Sequence, residues 1–173
     1  MRVIFFFCFL LFAVAAKAQK STPTAQEVLK EAYMQAEKEN KKVFVIFHAS
    51  WCGWCKRMDA AMQDESCKDF FQENFVITHL TVQESPDNKK LENKGGDIYV
   101  EQWGGKELGL PFWAILDVNG ALLANSLDAK GDNIGCPAQV HEVEAFISIL
   151  QKTTSIDTTT AAAITKRFKQ NAR

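Results

Sequence analysis

Five consecutive apolar residues, Val43-Phe44-Val45-Ile46-Phe47, precede the motif Cys52-Gly53-Trp54-Cys55 by only a few positions. The run shows no polar alternation, so it suits a strand covered on both faces. After the second cysteine, Lys56-Arg57-Met58-Asp59-Ala60-Ala61-Met62 is mostly strong helix formers, with Met58, Ala61 and Met62 spaced for one buried face. Two cysteines three apart therefore sit where a buried strand gives way to a helix. That spacing allows a small disulfide. The helix start supplies unpaired amides and roughly half a positive elementary charge, and both favour a thiolate.

Such a setting is suited to thiol–disulfide exchange. A thiol with a pKa near ~8.5 is only a few per cent ionised at pH 7, whereas one near ~7 is about half ionised, a gain of roughly fifteenfold. Lower basicity takes back about fivefold through weaker nucleophilicity, so the larger benefit comes when the stabilised sulfur must leave. Cys52 is expected near the exposed edge as the attacking sulfur, with Cys55 behind it to resolve the mixed disulfide. Lys56 adds positive potential. The pair also admits a lone structural disulfide or half a metal site, although no second Cys-x-x-Cys or His pair completes a zinc tetrahedron.

The remaining chain is consistent with one α/β domain. With 173 residues, 47% hydrophobic, 24% charged and a net charge of −1, it can bury a real core. The same values exclude a disordered tail protein and a strongly basic nucleic-acid binder, so no nucleic-acid partner is expected. Thr24 and Glu27 form a capping box ahead of a helix whose apolar face is Ala25, Val28, Leu29, Ala32 and Ala36. A short helix around Lys68–Glu73 and a strand over Phe75–Val82 follow the cysteine helix. Glu84–Asp97 reads as a loop or partly helical excursion. Phe112–Val118 and Ala121–Asn125 are strands joined by a turn at Asn119-Gly120. A last helix spans about Ala138 to Gln151, with Val140, Val143, Phe146, Ile147 and Leu150 as its buried stripe. This order predicts a central mixed sheet flanked by helices over residues 19–152. The tail over 153–173 reads either as an appended amphipathic helix, with Ile164 and Phe168 four apart, or as disordered chain; its basic residues read as a solvated end.

Residues 1–18 form a separate unit. Arg2 is followed by fourteen mostly apolar residues, Val3 to Ala16, and then by Ala16-Lys17-Ala18, the layout of a cleaved signal peptide. The run is shorter than the roughly 18 apolar residues that span a bilayer. Its removal leaves 18 basic and 21 acidic residues. It also removes Cys8 and leaves Cys52, Cys55, Cys67 and Cys136 in an oxidising compartment. A bacterial periplasm is the expected location, with full secretion as the alternative. Four cysteines are too sparse for a disulfide-stapled scaffold, and Cys67 is expected to be free and buried, Cys136 free and partly exposed.

The strand Val43–Phe47, the motif Trp51-Cys52-Gly53-Trp54-Cys55-Lys56 and Gly109-Leu110-Pro111 together resemble the thioredoxin fold over about Thr24–Leu150. Pro111 follows Cys55 by 56 residues. The resemblance implies a cis Leu110–Pro111 peptide facing the cysteines, with residue 110 pairing with the backbone of a partner chain. Trp54 beside Gly53 and the Phe112-Trp113 strand resemble exported family members more than the cytosolic reductases, and Trp51 and Trp54 are expected to shape the rim where a partner binds. The sequence departs from the family at Ile46, where thioredoxins carry a buried acid that assists proton transfer. His79 falls where many carry a buried lysine, so His79 and His48 are the candidates for proton handling, or else hydrogen-bonded structural histidines. His141 reads as surface.

These features predict a periplasmic oxidoreductase that exchanges disulfides with protein thiols and disulfides, needs no cofactor or metal, and trades electrons with a membrane-bound dithiol protein. Two other classes remain open: a polypeptide-binding or chaperone-like module in which the cysteines only add stability, and a dithiol protein that handles copper or zinc.

Overall fold

The apolar run becomes β1 (Lys42–His48), and every residue from Val43 to Phe47 is buried, as a strand covered on both faces requires. In the computed structural model, which describes residues 21–172, β1 is preceded by α1 (Ala25–Glu39) and followed by α2 (Gly53–Met62). The capping box at the start of α1 is formed: the Thr24 hydroxyl accepts from the Glu27 amide and the Glu27 carboxylate accepts from the Thr24 amide. Next come α3 (Lys68–Asn74), β2 (Phe75–Thr81), α4 (Gly96–Gln102), β3 (Phe112–Leu116), β4 (Leu122–Asn125), α5 (Val140–Thr153) and α6 (Thr158–Lys169). The leader expected over residues 1–18, with Cys8, lies outside the described residues.

The four strands run in the order β2-β1-β3-β4. β1 pairs in parallel with β2 and antiparallel with β3, and β3 pairs antiparallel with β4. Alternate residues of the central strands therefore divide between two apolar layers. Phe44, Ile46, Trp113 and Ile115 face α2, α3, α5 and α6. Val43, Val45, Phe47, Phe112, Ala114 and Leu116 face α1 and α4. The architecture is a mixed α/β sandwich of helices around one sheet, the thioredoxin-like arrangement.

Several boundaries differ from expectation for local reasons. β3 stops at Leu116 because Asp117 turns the chain: its Oδ1 accepts from the amides of Asn119 and Ala121, both at 2.8 Å. α5 begins two residues late because Glu142 reaches back to the amides of Ala138 and Gln139, at 2.9 and 2.8 Å, and so fixes the start. The excursion after β2 contains a 3-10 turn at Pro86–Leu91 and then α4, which runs past Asp97. α4 has only seven residues and no side-chain cap at Gly95, so little in its sequence announces it.

The chain after α5 is integral to the second layer. Ile164 and Phe168 are fully buried, and the Phe168 ring centroid lies 4.9 Å from Phe146 and 6.2 Å from Phe71. Lys166 and Lys169 face solvent, whereas Arg167 departs from the solvated-end expectation by pairing with Asp64, Nε to Oδ2 at 2.9 Å.

Candidate active site

β1 ends at His48, and the chain turns through Ala49, Ser50 and Trp51 before α2 begins at Gly53. Cys52 is the N-cap residue of α2, and its Sγ accepts from the Cys55 amide at 3.1 Å. Cys52 and Cys55 form a disulfide with their Cα atoms 5.3 Å apart. A sulfur that already receives an amide N–H at a helix start is the one whose negative charge that helix best stabilises when the bond opens.

The surroundings of the disulfide correct one expectation. Cys52 does not lie open at the edge: it is only 2% exposed, and Leu110 packs against Ala49, Cys52 and Cys55. The cover is thin. Gly53 is exposed and has nothing within 4 Å of where a Cβ would stand. Trp51 and Trp54 are 58% and 47% exposed beside it. Trp103, Phe112 and Trp113 are core residues.

Three loops hold this arrangement. The Leu110–Pro111 peptide is cis. Asn133 Nδ2 donates to the carbonyls on either side of it, Gly109 at 2.8 Å and Pro111 at 3.2 Å. From the end of β2, the Gln83 carbonyl accepts from the Trp51 indole at 2.9 Å. The adjacent Glu84 carboxylate, buried at 4% exposure, accepts from the Ser50 amide at 2.6 Å and the Ser50 hydroxyl at 2.8 Å. Sequence reasoning missed Glu84 and Asn133. A carboxylate two residues past a strand and an Asn in a loose loop look like ordinary loop polarity until the fold brings them to the cysteines.

The two histidines are neighbours, with ring centroids 5.0 Å apart. His79 pairs in register with Ile46, the position where an acid was expected in the family pattern. Its Nε2 lies 2.8 Å from Asp59 Oδ1 on α2, and Asp59 is one turn beyond Cys55 on the same helix face. His48 Nε2 lies 3.1 Å from Thr81 Oγ1. Burial pulls the His48 imidazole below its ordinary pKa and the His79 ring acts in the same direction, with Asp59 and Glu84 opposing. His141 is on the surface.

Cys67 and Cys136 are both free. Cys67 donates to the Ala61 carbonyl at 3.1 Å, and burial raises its pKa. Cys136 is buried rather than partly exposed, and desolvation pushes its thiol up to about 12. It lines a cleft of about 350 Å³ together with Trp54, Leu110 and Pro111. A larger cavity of about 770 Å³ lies behind Gln83 among Lys89, Glu92, Lys94, Asp97 and Lys106, with no Cys or His in its wall. Among the described residues, no group of three or more Cys, His, Asp or Glu side chains is placed to hold a metal ion.

The fold and the disulfide at the strand-to-helix junction are those of a thioredoxin-like protein. Residues 24–117 match the thioredoxin-like family, and the chain belongs to it. It is 37% identical over 62 residues to spermatogenesis-associated protein 20 of Rattus norvegicus, a match covering 35% of this chain and 8% of that protein. The chain thus spans a small fraction of the length of the curated relatives it matches. Among solved structures, it is similar to the disulphide isomerase from Xylella fastidiosa Temecula1, with a TM-score of 0.52, 13% identity, and coverage of 90% of this chain and 97% of that one. A DsbH oxidoreductase superposes with a TM-score of 0.43 and 22% identity, covering 61% of this chain and 73% of the other.

Proposed function

We propose that this chain is an exported, periplasmic thiol–disulfide oxidoreductase that acts on protein thiols and disulfides. The observation that carries the reading is the Cys55 amide directed at Cys52 Sγ, 3.1 Å away at the N-terminus of α2. With the pair reduced, the Cys52 thiolate attacks one sulfur of a partner disulfide, forms a mixed disulfide and expels the partner's other sulfur as thiolate. Cys55 then loses its proton and attacks Cys52 Sγ, releasing the partner's second thiolate and closing the Cys52–Cys55 disulfide. Two electrons pass to the partner. Run backwards, the same steps oxidise a partner dithiol; a membrane-bound dithiol protein resets the pair, donating electrons in its dithiol form after the forward reaction and accepting them in its disulfide form after the reverse one.

In this reading Leu110 must shift for a partner to reach Cys52, and Leu110 and Pro111 then present their backbone to it. Trp51 and Trp54 form the rim. Asp59 orients His79 to handle the Cys55 proton, with His48 as the neighbouring base. The equilibrium potential of the Cys52/Cys55 pair against glutathione tests the assignment. A reversible value within the roughly −270 to −120 mV range of exchange proteins supports it, and sulfurs inert to dithiothreitol overturn it.

The 2% exposure of Cys52 also favours a second reading, a polypeptide-binding module in which the disulfide serves stability. A Cys52→Ser/Cys55→Ser variant that retains full biological activity would establish that reading instead.

A further inference from the structure

The turn Gln170–Ala172, which follows α6, lies against α2. Within it Asn171 is only 5% exposed, and its polar atoms are engaged on three sides. Its Nδ2 donates to the Pro137 carbonyl at 3.1 Å and to Cys136 Sγ at 3.4 Å. Its Oδ1 accepts from Arg167 Nη1 at 3.0 Å. Its backbone carbonyl accepts from Arg57 Nη1, also at 3.0 Å. The Arg57 guanidinium in turn lies over the Trp54 ring, 4.7 Å from its centroid.

Trp54 and Cys136 are on the wall of the same 350 Å³ cleft, beside Leu110 and Pro111. One buried residue therefore ties the two sides of that cleft together, α2 through Arg57 and the Cys136-Pro137 segment directly. An exposed guanidinium with no second anchor samples many rotamers, and so does the indole beneath it. Held by a carbonyl at one end, Arg57 confines Trp54 from behind and leaves its other face to a ligand.

We propose that Asn171 is a positioning residue for partner recognition: it fixes Arg57 across Trp54 and seals Cys136, so the cleft beside the disulfide is preorganised by a turn outside the 24–117 family region. The part concerning recognition rests on the exchange function proposed above; the tie between the walls does not. Preorganisation lowers the cost of binding a polypeptide but leaves the sulfur chemistry unchanged. Loss of Asn171 should therefore weaken binding of a peptide without slowing turnover of a small disulfide.

The test uses Asn171→Ala and a chain ended at Lys169, each compared with the wild type. In the oxidised protein, iodoacetamide should label Cys136 about tenfold faster in both variants while Cys67 is unchanged. In a Trp51→Phe background, where Trp54 is the exposed indole, acrylamide quenching should increase in the chain ended at Lys169, which removes the carbonyl that holds Arg57. KM for a disulfide-bonded peptide should rise about threefold or more, with kcat and the rate on oxidised glutathione unchanged. Unchanged labelling in both variants, with unchanged quenching in the chain ended at Lys169, would overturn the tie between the walls. Parallel loss of kcat, KM and the glutathione rate would reduce Asn171 to a structural role and overturn the proposal. A wild type inactive on both disulfides would sink the exchange function and the recognition role with it, while labelling and quenching would still decide the tie.

Discussion

Ser50 and Glu84 are joined twice across the mouth of the sheet, the Glu84 carboxylate accepting from the Ser50 amide at 2.6 Å and from its hydroxyl at 2.8 Å. The pair sets the turn that delivers Trp51 and Cys52, and the Trp51 indole is tied to the neighbouring Gln83 carbonyl. A buried carboxylate that loses its charge keeps its shape but accepts more weakly. Glu84→Gln should cost about 1–3 kcal/mol in urea unfolding and speed the reduction of the disulfide by dithiothreitol. A double-mutant cycle with Ser50→Ala should show coupling of about 1 kcal/mol, and additive effects would sever the link.

Much of this site was legible in the sequence because its signals are local. Cys52 and Cys55 carry their own spacing, Val43–Phe47 its own burial pattern, and Thr24 and Glu27 their own cap. The positions of Glu84, Asn133 and Asn171 were not legible, since each is a polar loop or tail residue whose meaning depends on contacts 22 to 114 residues away. The burial of Cys52 escaped although the Leu110–Pro111 peptide was expected to face the cysteines, because how closely the Leu110 side chain packs over Ala49, Cys52 and Cys55 is set by tertiary contacts that the motif does not encode.

The chain after α5 should prove necessary for stability. Phe168 is fully buried between Phe71 and Phe146, where removal of the ring leaves a cavity that neighbouring aromatics cannot readily collapse into. Phe168→Ala should cost about 3–5 kcal/mol in chemical denaturation. A loss below about 1 kcal/mol would show α6 to be a loosely docked appendage.

Stability should fall in mild acid because of His48. Its folded-state pKa is lowered, so the unfolded chain binds the proton more tightly than the folded one. The contribution is complete above the unfolded value of about 6.5 and is lost as pH falls from there through the lower folded-state value. His48→Gln, which keeps a polar partner for Thr81, should flatten the dependence of the urea midpoint on pH between about 7 and 5. An unchanged slope in the variant would assign the acid sensitivity to other groups.

Gly105 gives a way to disturb the cis-peptide loop without touching it. A Cβ at this position would stand 2.6 Å from Phe112 Cδ1 and 2.8 Å from Cε1. That ring cannot swing aside, because it is fully buried with its centroid 5.8 Å from Phe47, which in turn lies 5.7 Å from Trp103. Gly105→Ala must therefore displace Phe112, which disturbs the neighbouring segment from which Leu110 covers the disulfide. Overpacking of this kind should cost about 1–3 kcal/mol in thermal unfolding. It should also change the rate at which dithiothreitol opens the Cys52–Cys55 bond, since the cover over Cys52 moves. A variant with wild-type stability and an unaltered reduction rate would mean that the Phe112 ring yields freely, and that the loop over the cysteines is positioned from the Asn133 side alone.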